Sequence, residues 1–185
     1  MRKLRVFGSP IVAIVVMLAL VSSVVAGDDG GRTRFKSDTL TGYQEVVGPG
    51  PISTTGTGTF EARLDGDVIT YTLTYRGLEG IDPAFAGGVV TQAHIHFGQR
   101  GVGGGVIAFL CGGPKPACPA SGTVTGTITP VDVVGPSAQG IEAGSFAEAV
   151  RALRAGAVYA NVHTSRWPAG EIRGQVNDRG DRGDE

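Results

Sequence analysis

The three histidines are the residues of this sequence with the clearest potential for chemistry. His94 and His96 lie one residue apart in "TQAHIHFGQRG", and His163 follows much later in "YANVHTSRW". Neutral imidazole suits zinc, copper and similar transition ions. Three imidazoles that met at one point would bind one such ion and leave a position open for water or substrate. The alternative is that all three lie on the surface or only form hydrogen bonds, and the sequence leaves both open.

Strand parity places these side chains relative to the core. In an extended segment over residues 91–97, His94 and His96 point to one side and the apolar residues point to the other. We therefore expect both imidazoles to leave the core, toward solvent or a cleft. The apolar residues of a second segment, 157–163, alternate in the same way, so His163 takes its polar side.

A further polar strand follows the loop "TSRWPAG". If the apolar faces of the two strands match, Val162 pairs with Ile172, and Glu171 then lies opposite His163. A carboxylate there would be a fourth ligand or the acceptor that fixes the ring. Arg173, on the same side, is a candidate for steering an anion. If the strands that carry the three histidines are neighbours, the histidines would form a metal site with Glu171 and Arg173 as supporting residues.

Short alternating segments separated by turns must position this site. The dipeptide Asp65-Gly66 predicts a hairpin in which Ala62 faces Ile69. The stretch "SFAEAVRALRAG" has helical spacing, with Ser145 as the N-cap. The pattern favours an all-β fold, a two-sheet antiparallel sandwich or small barrel with one short helix. Further strands are predicted over 39–46, 91–97, 106–110, 123–129, 157–163 and 171–176.

The N-terminus is typical of a secretory signal peptide. Basic "MRKLR" precedes a long apolar run, and "VVA" before Gly27 offers small residues for cleavage after Ala26. An uncleaved membrane anchor is the alternative, since the apolar run approaches the ~20 residues that a spanning helix needs. We expect residues 1–26 to be the signal peptide, 27–36 a polar linker, 37–177 the domain and 178–185 a disordered polar tail.

Charge and cysteine content narrow the partners and the compartment. The chain has 16 basic and 17 acidic residues, and removal of residues 1–26 takes away three basic ones, leaving 13 against 17. This balance argues against a nucleic-acid partner. In an oxidising compartment Cys111 and Cys118, around the loop "GGPKPA", are expected to form a disulfide. A zinc site from this pair is disfavoured, because zinc sites usually need four N/S ligands and no histidine is nearby in sequence.

Other motifs carry less chemistry. "GQRGVGGG" precedes a predicted strand rather than the helix that a phosphate-binding loop requires, so we expect a loop at the rim of the histidine site. No serine-nucleophile elbow is present. Arg-Gly-Asp occurs twice in the tail, at residues 179–181 and 182–184, and resembles integrin-binding ligands, although a composition of Asp, Arg and Gly also produces it.

Three stretches together resemble the CHRD (chordin) domain family: "LTGYQEV", "AHIHFGQRGVGGGVIAFLC" and "LRAGAVYANVHTSRWPAGEIRGQV". The resemblance covers residues 37 to 177, and its last stretch is the most specific. It implies an immunoglobulin-like β-sandwich of the bacterial, single-domain exported type. The family has no securely assigned enzymatic activity, so the resemblance implies architecture more than function. "AHIHFG" is also similar to the His-x-His strand of copper-zinc superoxide dismutases, but their paired site needs about six imidazoles and this chain has three.

These observations favour a secreted or cell-envelope CHRD-domain module that binds an extracellular protein or another ligand. Its three histidines would hold one zinc or copper ion, and no membrane contact is expected after signal cleavage. The alternative is a mononuclear metalloenzyme, superoxide-dismutase-like or hydrolytic, that uses the same histidines. A third hypothesis is a structural role in matrix or adhesion, with histidines that only hydrogen-bond across strands.

Overall fold

Nine antiparallel strands form one sheet in the computed structural model, which describes residues 33–79 and 89–178. The only α-helix in these two ranges is α1, Phe146–Arg154. The expected all-β class with one short helix is therefore confirmed. The strands are β1 Thr33–Ser37, β2 Leu40–Thr41, β3 Thr57–Asp65, β4 Val68–Arg76, β5 Val90–Phe97, β6 Gly105–Cys111, β7 Gly122–Ile128, β8 Val158–Thr164 and β9 Ile172–Asp178.

The sheet curls so that its two ends face each other. The strand order is β6-β5-β8-β9-β1-β3-β4-β7, and the short β2 pairs with both β3 and β9. Tyr71 on β4 donates a hydrogen bond to the carbonyl of Leu110 on β6, at 2.6 Å. Tyr75, also on β4, donates to the carbonyl of Pro119 between β6 and β7. These bonds join strands from opposite ends of the order, which gives the sandwich- or barrel-like form.

Alternating apolar residues fill the space that the curled sheet encloses. Phe60, Ala62 and Leu64 on β3 are buried, and the residues between them are exposed or half-buried. This period of two puts one face of each outer strand in the core and the other in water.

The hairpin of β3 and β4 forms as predicted, but its register differs by two residues. Leu64 pairs with Ile69, and Asp65 pairs with Val68. The turn consists of Gly66 and Asp67 rather than Asp65 and Gly66, and Gly66 has a φ of 57°. Glycine adopts this left-handed conformation without steric cost, so the turn forms where Gly66 is its first residue. A shift of two preserves the parity, which is why the predicted core face is still correct.

Two predicted boundaries near the N-terminus are wrong. Residues 33–36, assigned to the linker, lie in β1, which pairs with β3 and β9. The predicted strand 39–46 shortens to β2, because the 3-10 turn Gly42–Gln44 follows it directly. Residues 1–32, which hold the predicted signal peptide and most of the linker, and the Arg-Gly-Asp tail from residue 179 lie outside the described residues.

The helix and the disulfide agree with the sequence with one exception. α1 is amphipathic and buries Phe146, Val150 and Leu153 among its apolar residues. Ser145 is its N-cap residue but makes no side-chain capping hydrogen bond. Cys111 and Cys118 form the expected disulfide, with their Cα atoms 5.1 Å apart. Across the described ranges, no helix has both the length and the apolar character needed to cross a membrane.

Candidate metal centre

The three neighbouring strands β5, β8 and β9 are buried on both faces, unlike the outer strands. One face packs into the apolar core through residues such as Ile95, Ala160 and Ile172. The opposite face carries polar side chains that are almost completely covered. We call this set the polar layer. Its members are His94, His96, Tyr159, Asn161, His163, Arg173 and Gln175.

Strand adjacency brings the three histidines together. β5 and β8 are direct neighbours, with His94 opposite Asn161 and His96 opposite Tyr159. This was the fact that the sequence left open. One ligand nitrogen from each of the three histidines lies within 4.8 Å of the other two. Among the described residues this is the one cluster of three or more His, Cys, Asp or Glu side chains that could hold a metal ion.

The imidazoles are buried, which corrects the expectation that they face solvent or a cleft. The exposed fractions of His94, His96 and His163 are 3%, 7% and 6%. Parity was right about the face, but connecting segments cover that face. The carbonyl of Gly104, in the glycine-rich loop after β5, contacts the ring of His96, and the carbonyl of Pro168, between β8 and β9, contacts the ring of His163.

Hydrogen bonds determine which nitrogens of the rings are free. Nδ1 of His96 lies 3.1 Å from the Gly104 carbonyl, and Nδ1 of His163 lies 2.9 Å from the Pro168 carbonyl. A carbonyl only accepts, so in both neutral rings the proton is on Nδ1 and Nε2 carries a lone pair. Nε2 of His163 then accepts a hydrogen bond from Nδ1 of His94, at 3.1 Å.

Two buried lone pairs remain without a partner. They belong to Nε2 of His94 and Nε2 of His96, neither of which has a hydrogen-bond partner. Buried polar atoms in folded proteins are nearly always paired, because an unpaired one costs about 1–3 kcal/mol. The cluster therefore contains two unsatisfied buried acceptors.

Burial also keeps the three rings uncharged. Desolvation, reinforced by the other two histidines, lowers the pKa of His94 to about 3. Desolvation lowers the pKa of His96 to about 4, partly offset by the bond to the Gly104 carbonyl. Burial likewise lowers the pKa of His163. At neutral pH no proton competes for the lone pairs.

Aromatic contacts hold two of the rings in place. His96 stacks on Tyr159, with centroids 4.8 Å apart and planes 4° from parallel. The guanidinium carbon of Arg173 lies 3.4 Å from the centroid of the same tyrosine ring. Phe109 on β6 packs edge-on against His94, with centroids 4.4 Å apart. The imidazoles consequently have little freedom to rotate.

Arg173 lies on the predicted polar face, opposite Asn161 on β8, but its side chain has a different role from the one expected. The tyrosine ring separates its guanidinium from His96, and the side chain is buried. Its Nη2 donates to the carbonyls of Gln99 and Val102, at 2.9 and 2.8 Å. Arg173 therefore fastens the glycine-rich loop over the polar layer and does not reach solvent to steer an anion.

Glu171 serves different partners from the one predicted. The register that pairs Val162 with Ile172 is confirmed. The carboxylate nevertheless accepts hydrogen bonds from the hydroxyls of Thr54 and Thr164 and from the backbone of Glu79. The Pro168 carbonyl is the group that orients His163, so Glu171 anchors the surrounding segments.

Glu45 is a buried member of the site's surroundings that the sequence analysis missed. Its carboxyl accepts a hydrogen bond from Nδ2 of Asn161, beside His94 in the strand register. Desolvation raises the pKa of Glu45 to about 7 despite the attraction of Arg173. Its only signal in the sequence was its place in "LTGYQEV", because the 3-10 turn that aims it inward was not predicted.

Comparison with known proteins adds one finding. A family model of the CHRD domain matches residues 37–176, about three quarters of the chain. No curated protein and no solved structure matches the chain significantly. The match includes every member of the polar layer, among them all three histidines.

Proposed function

The chain belongs to the CHRD domain family, and we propose that its domain is an exported binding module that holds one transition-metal ion between His94, His96 and His163. One observation carries the proposal: two buried imidazole nitrogens with free lone pairs lie in a cluster of three imidazoles. A metal ion is the partner that satisfies such lone pairs together.

A purely hydrogen-bonding role explains the cluster less well. Histidines that only link strands would use both ring nitrogens, as His163 does with Pro168 and His94. His94 and His96 each leave Nε2 buried and unpaired, at a cost of about 1–3 kcal/mol per atom. A ligand that pairs with these nitrogens removes this free-energy cost and so stabilises the fold.

The geometry also suits coordination. Two nitrogens bound to one ion at about 2.0–2.1 Å lie roughly 3–3.5 Å apart. One ligand nitrogen of each ring lies within 4.8 Å of the other two, so an ion at this position draws the three rings together slightly. The backbone carbonyls of Gly104 and Pro168 hold the rings of His96 and His163 by Nδ1, the arrangement that orients metal-bound histidines in general.

Burial favours a binding module over the metalloenzyme alternative. A catalytic ion keeps a coordination position that substrate can reach. Here the exposed fraction of each histidine is below one tenth, and Arg173 and Gln175 fasten the loop over the layer through carbonyls of Gln99, Val102 and Gly98. Such a centre retains an ion better than it exchanges substrates.

Export is supported by two features. The Cys111–Cys118 disulfide is compatible with an oxidising compartment outside the cytoplasm. The apolar N-terminal segment followed by small residues is typical of a cleaved signal. N-terminal sequencing of the protein recovered from the envelope or medium should find Gly27 as the first residue. Recovery of the uncleaved chain from the cytoplasm would contradict this part of the proposal.

Metal analysis of the purified mature protein tests the centre itself. After stripping with a chelator and dialysis against zinc or copper salts, we expect about one ion per chain. A variant with all three histidines changed to glutamine should bind none while keeping the β-sheet circular dichroism. Glu148→Gln, which removes an exposed carboxylate on α1, is the matched control and should bind like the wild type. Equal metal content in the triple variant and the wild type would refute the centre.

A further inference from the structure

We infer that the three-histidine centre selects the monovalent ion copper(I) over divalent ions such as zinc(II). The inference rests on the proposed function, since it concerns the identity of the ion held between His94, His96 and His163. It follows from the charge of the ligands, the charge of their surroundings and the number of ligands available.

All of the ligands are electrically neutral. The cluster contains three imidazoles, and no carboxylate or thiolate belongs to it within the described part of the chain. An ion that binds there keeps its whole charge, whereas a zinc ion bound by thiolates or carboxylates is partly neutralised. Imidazole nitrogen suits copper and zinc alike, so the donor type does not discriminate and charge decides.

The surroundings add no net negative charge. Arg173 carries a fixed positive charge, and its guanidinium carbon lies 3.4 Å from the centroid of the Tyr159 ring that stacks on His96. The carboxyl of Glu45 interacts electrostatically with Arg173. It also accepts a hydrogen bond from Nδ2 of Asn161. Burial leaves this carboxyl partly protonated near neutral pH, so at most it offsets Arg173.

Burial makes the uncompensated charge expensive. The free energy of moving an ion from water into a low-dielectric site grows with the square of its charge, so a divalent ion loses about four times as much as a monovalent ion of similar size. The repulsion by the guanidinium of Arg173 is also doubled for the divalent ion. Both effects favour the ion of lower charge.

The number of ligands points the same way. Zinc in proteins is almost always four-coordinate. The cluster supplies three nitrogens, and no fourth His, Cys, Asp or Glu ligand belongs to it in the described part of the chain. Copper(I) accepts coordination numbers below four, so three imidazoles complete its shell.

Competition titrations of the full mature protein test this selectivity. Copper(I), kept reduced by ascorbate, is partitioned between the protein and bicinchoninate, zinc(II) is titrated against a fluorescent chelator, and silver(I) serves as a redox-inert monovalent ion. We expect copper(I) and silver(I) to bind at least about 100-fold more tightly than zinc(II), a difference of about 2.7 kcal/mol. Equal or tighter zinc binding would overturn the inference while the proposed metal centre stands. Failure of every ion to bind would refute the proposed function itself.

A charged ligand provides the matched test of the cause. His96→Glu replaces a neutral ligand by an anionic one and should shift the preference toward zinc by about 10-fold or more. His96→Gln is the neutral control and should weaken both ions without this shift. If His96→Glu does not fold, His163→Glu tests the same point from β8. A folded glutamate variant with the wild-type preference would overturn the charge argument.

Discussion

Replacing His96 by phenylalanine separates the role of this ring in the fold from its role in binding an ion. Phenylalanine keeps an aromatic ring that can stack on Tyr159 and fills the same buried space. It removes the bond to the Gly104 carbonyl, worth about 1 kcal/mol, and the unpaired Nε2, whose burial costs about 1–3 kcal/mol. The hydroxyl of Tyr159 lies 3.4 Å from that carbonyl and still offers it a donor.

The two effects together give a definite expectation. Without metal, His96→Phe should unfold at the same free energy as the wild type or up to about 2 kcal/mol higher. With an ion at 100 times its dissociation constant, the wild type should gain about 2.7 kcal/mol and the variant should gain much less. The ion should therefore make the wild type as stable as His96→Phe or more stable.

Urea denaturation in EDTA and in saturating ion measures both values. His96→Ala, which leaves a cavity in place of the ring, is the control and should lose about 2 kcal/mol or more in EDTA. If the free energy of unfolding of His96→Phe in EDTA is more than about 2 kcal/mol below that of the wild type, both nitrogens of His96 are satisfied in the ion-free fold. The reasoning from an unpaired Nε2 would then be wrong.

Acidification should destabilise the ion-free protein. Burial lowers the pKa values of His94 to about 3 and His96 to about 4, so below pH ~6.5 the unfolded chain binds more protons and each ring removes about 1.4 kcal/mol of stability per pH unit. Glu45 has its pKa raised to about 7, so between its unfolded pKa and pH 7 the folded state binds more protons and gains stability as the pH falls. Glu45→Gln removes this gain and should steepen the loss of stability between pH 6.5 and 5. Identical pH profiles of the two proteins in urea titrations would contradict this expectation. A Cβ on Gly104 would overlap the Phe97 carbonyl oxygen, so Gly104→Ala should displace the carbonyl that orients His96 and weaken ion binding by about 10-fold in competition titrations. Gly101→Asn, in the open part of the same loop at a φ of 76°, is its control and should bind normally. Reduction of the disulfide should lower the free energy of unfolding by about 2 kcal/mol in urea titrations, and no loss would contradict its structural role.

Local periodicity was enough to predict the strands and the faces of the site. Alternation assigned His94 and His96 to one face of β5, and matching apolar faces predicted the pairing of Val162 with Ile172 correctly. These features depend on the side-chain period of two within one strand or hairpin. The boundaries of five predicted strands accordingly lie within two residues of β5 to β9.

The pairing of β5 with β8 could not be obtained in this way. More than sixty residues separate His96 from His163, and the contact depends on how the whole sheet curls. Convergence of the histidines depends on one long-range pairing, and no local pattern encodes it.

The alternation of side chains also could not predict that the polar face is buried. A polar side chain opposite the core is ordinarily exposed, so parity predicted that His94 faces solvent or a cleft. The face is instead closed by segments whose paths depend on turns, including the 3-10 turn before Glu45 and the loop fastened by Arg173. Buried polar side chains need hydrogen-bond partners. The segments that cover the polar layer provide these partners as backbone carbonyls and carboxylates.

The most direct test of the metal centre is a crystal structure of the ion-loaded protein with anomalous diffraction at the absorption edge of copper. We expect a single strong peak at about 2.0–2.1 Å from one nitrogen each of His94, His96 and His163. The rings of His96 and His163 should keep their bonds to the Gly104 and Pro168 carbonyls. A peak elsewhere on the protein, or one that contacts fewer than three of these histidines, would refute the proposed centre.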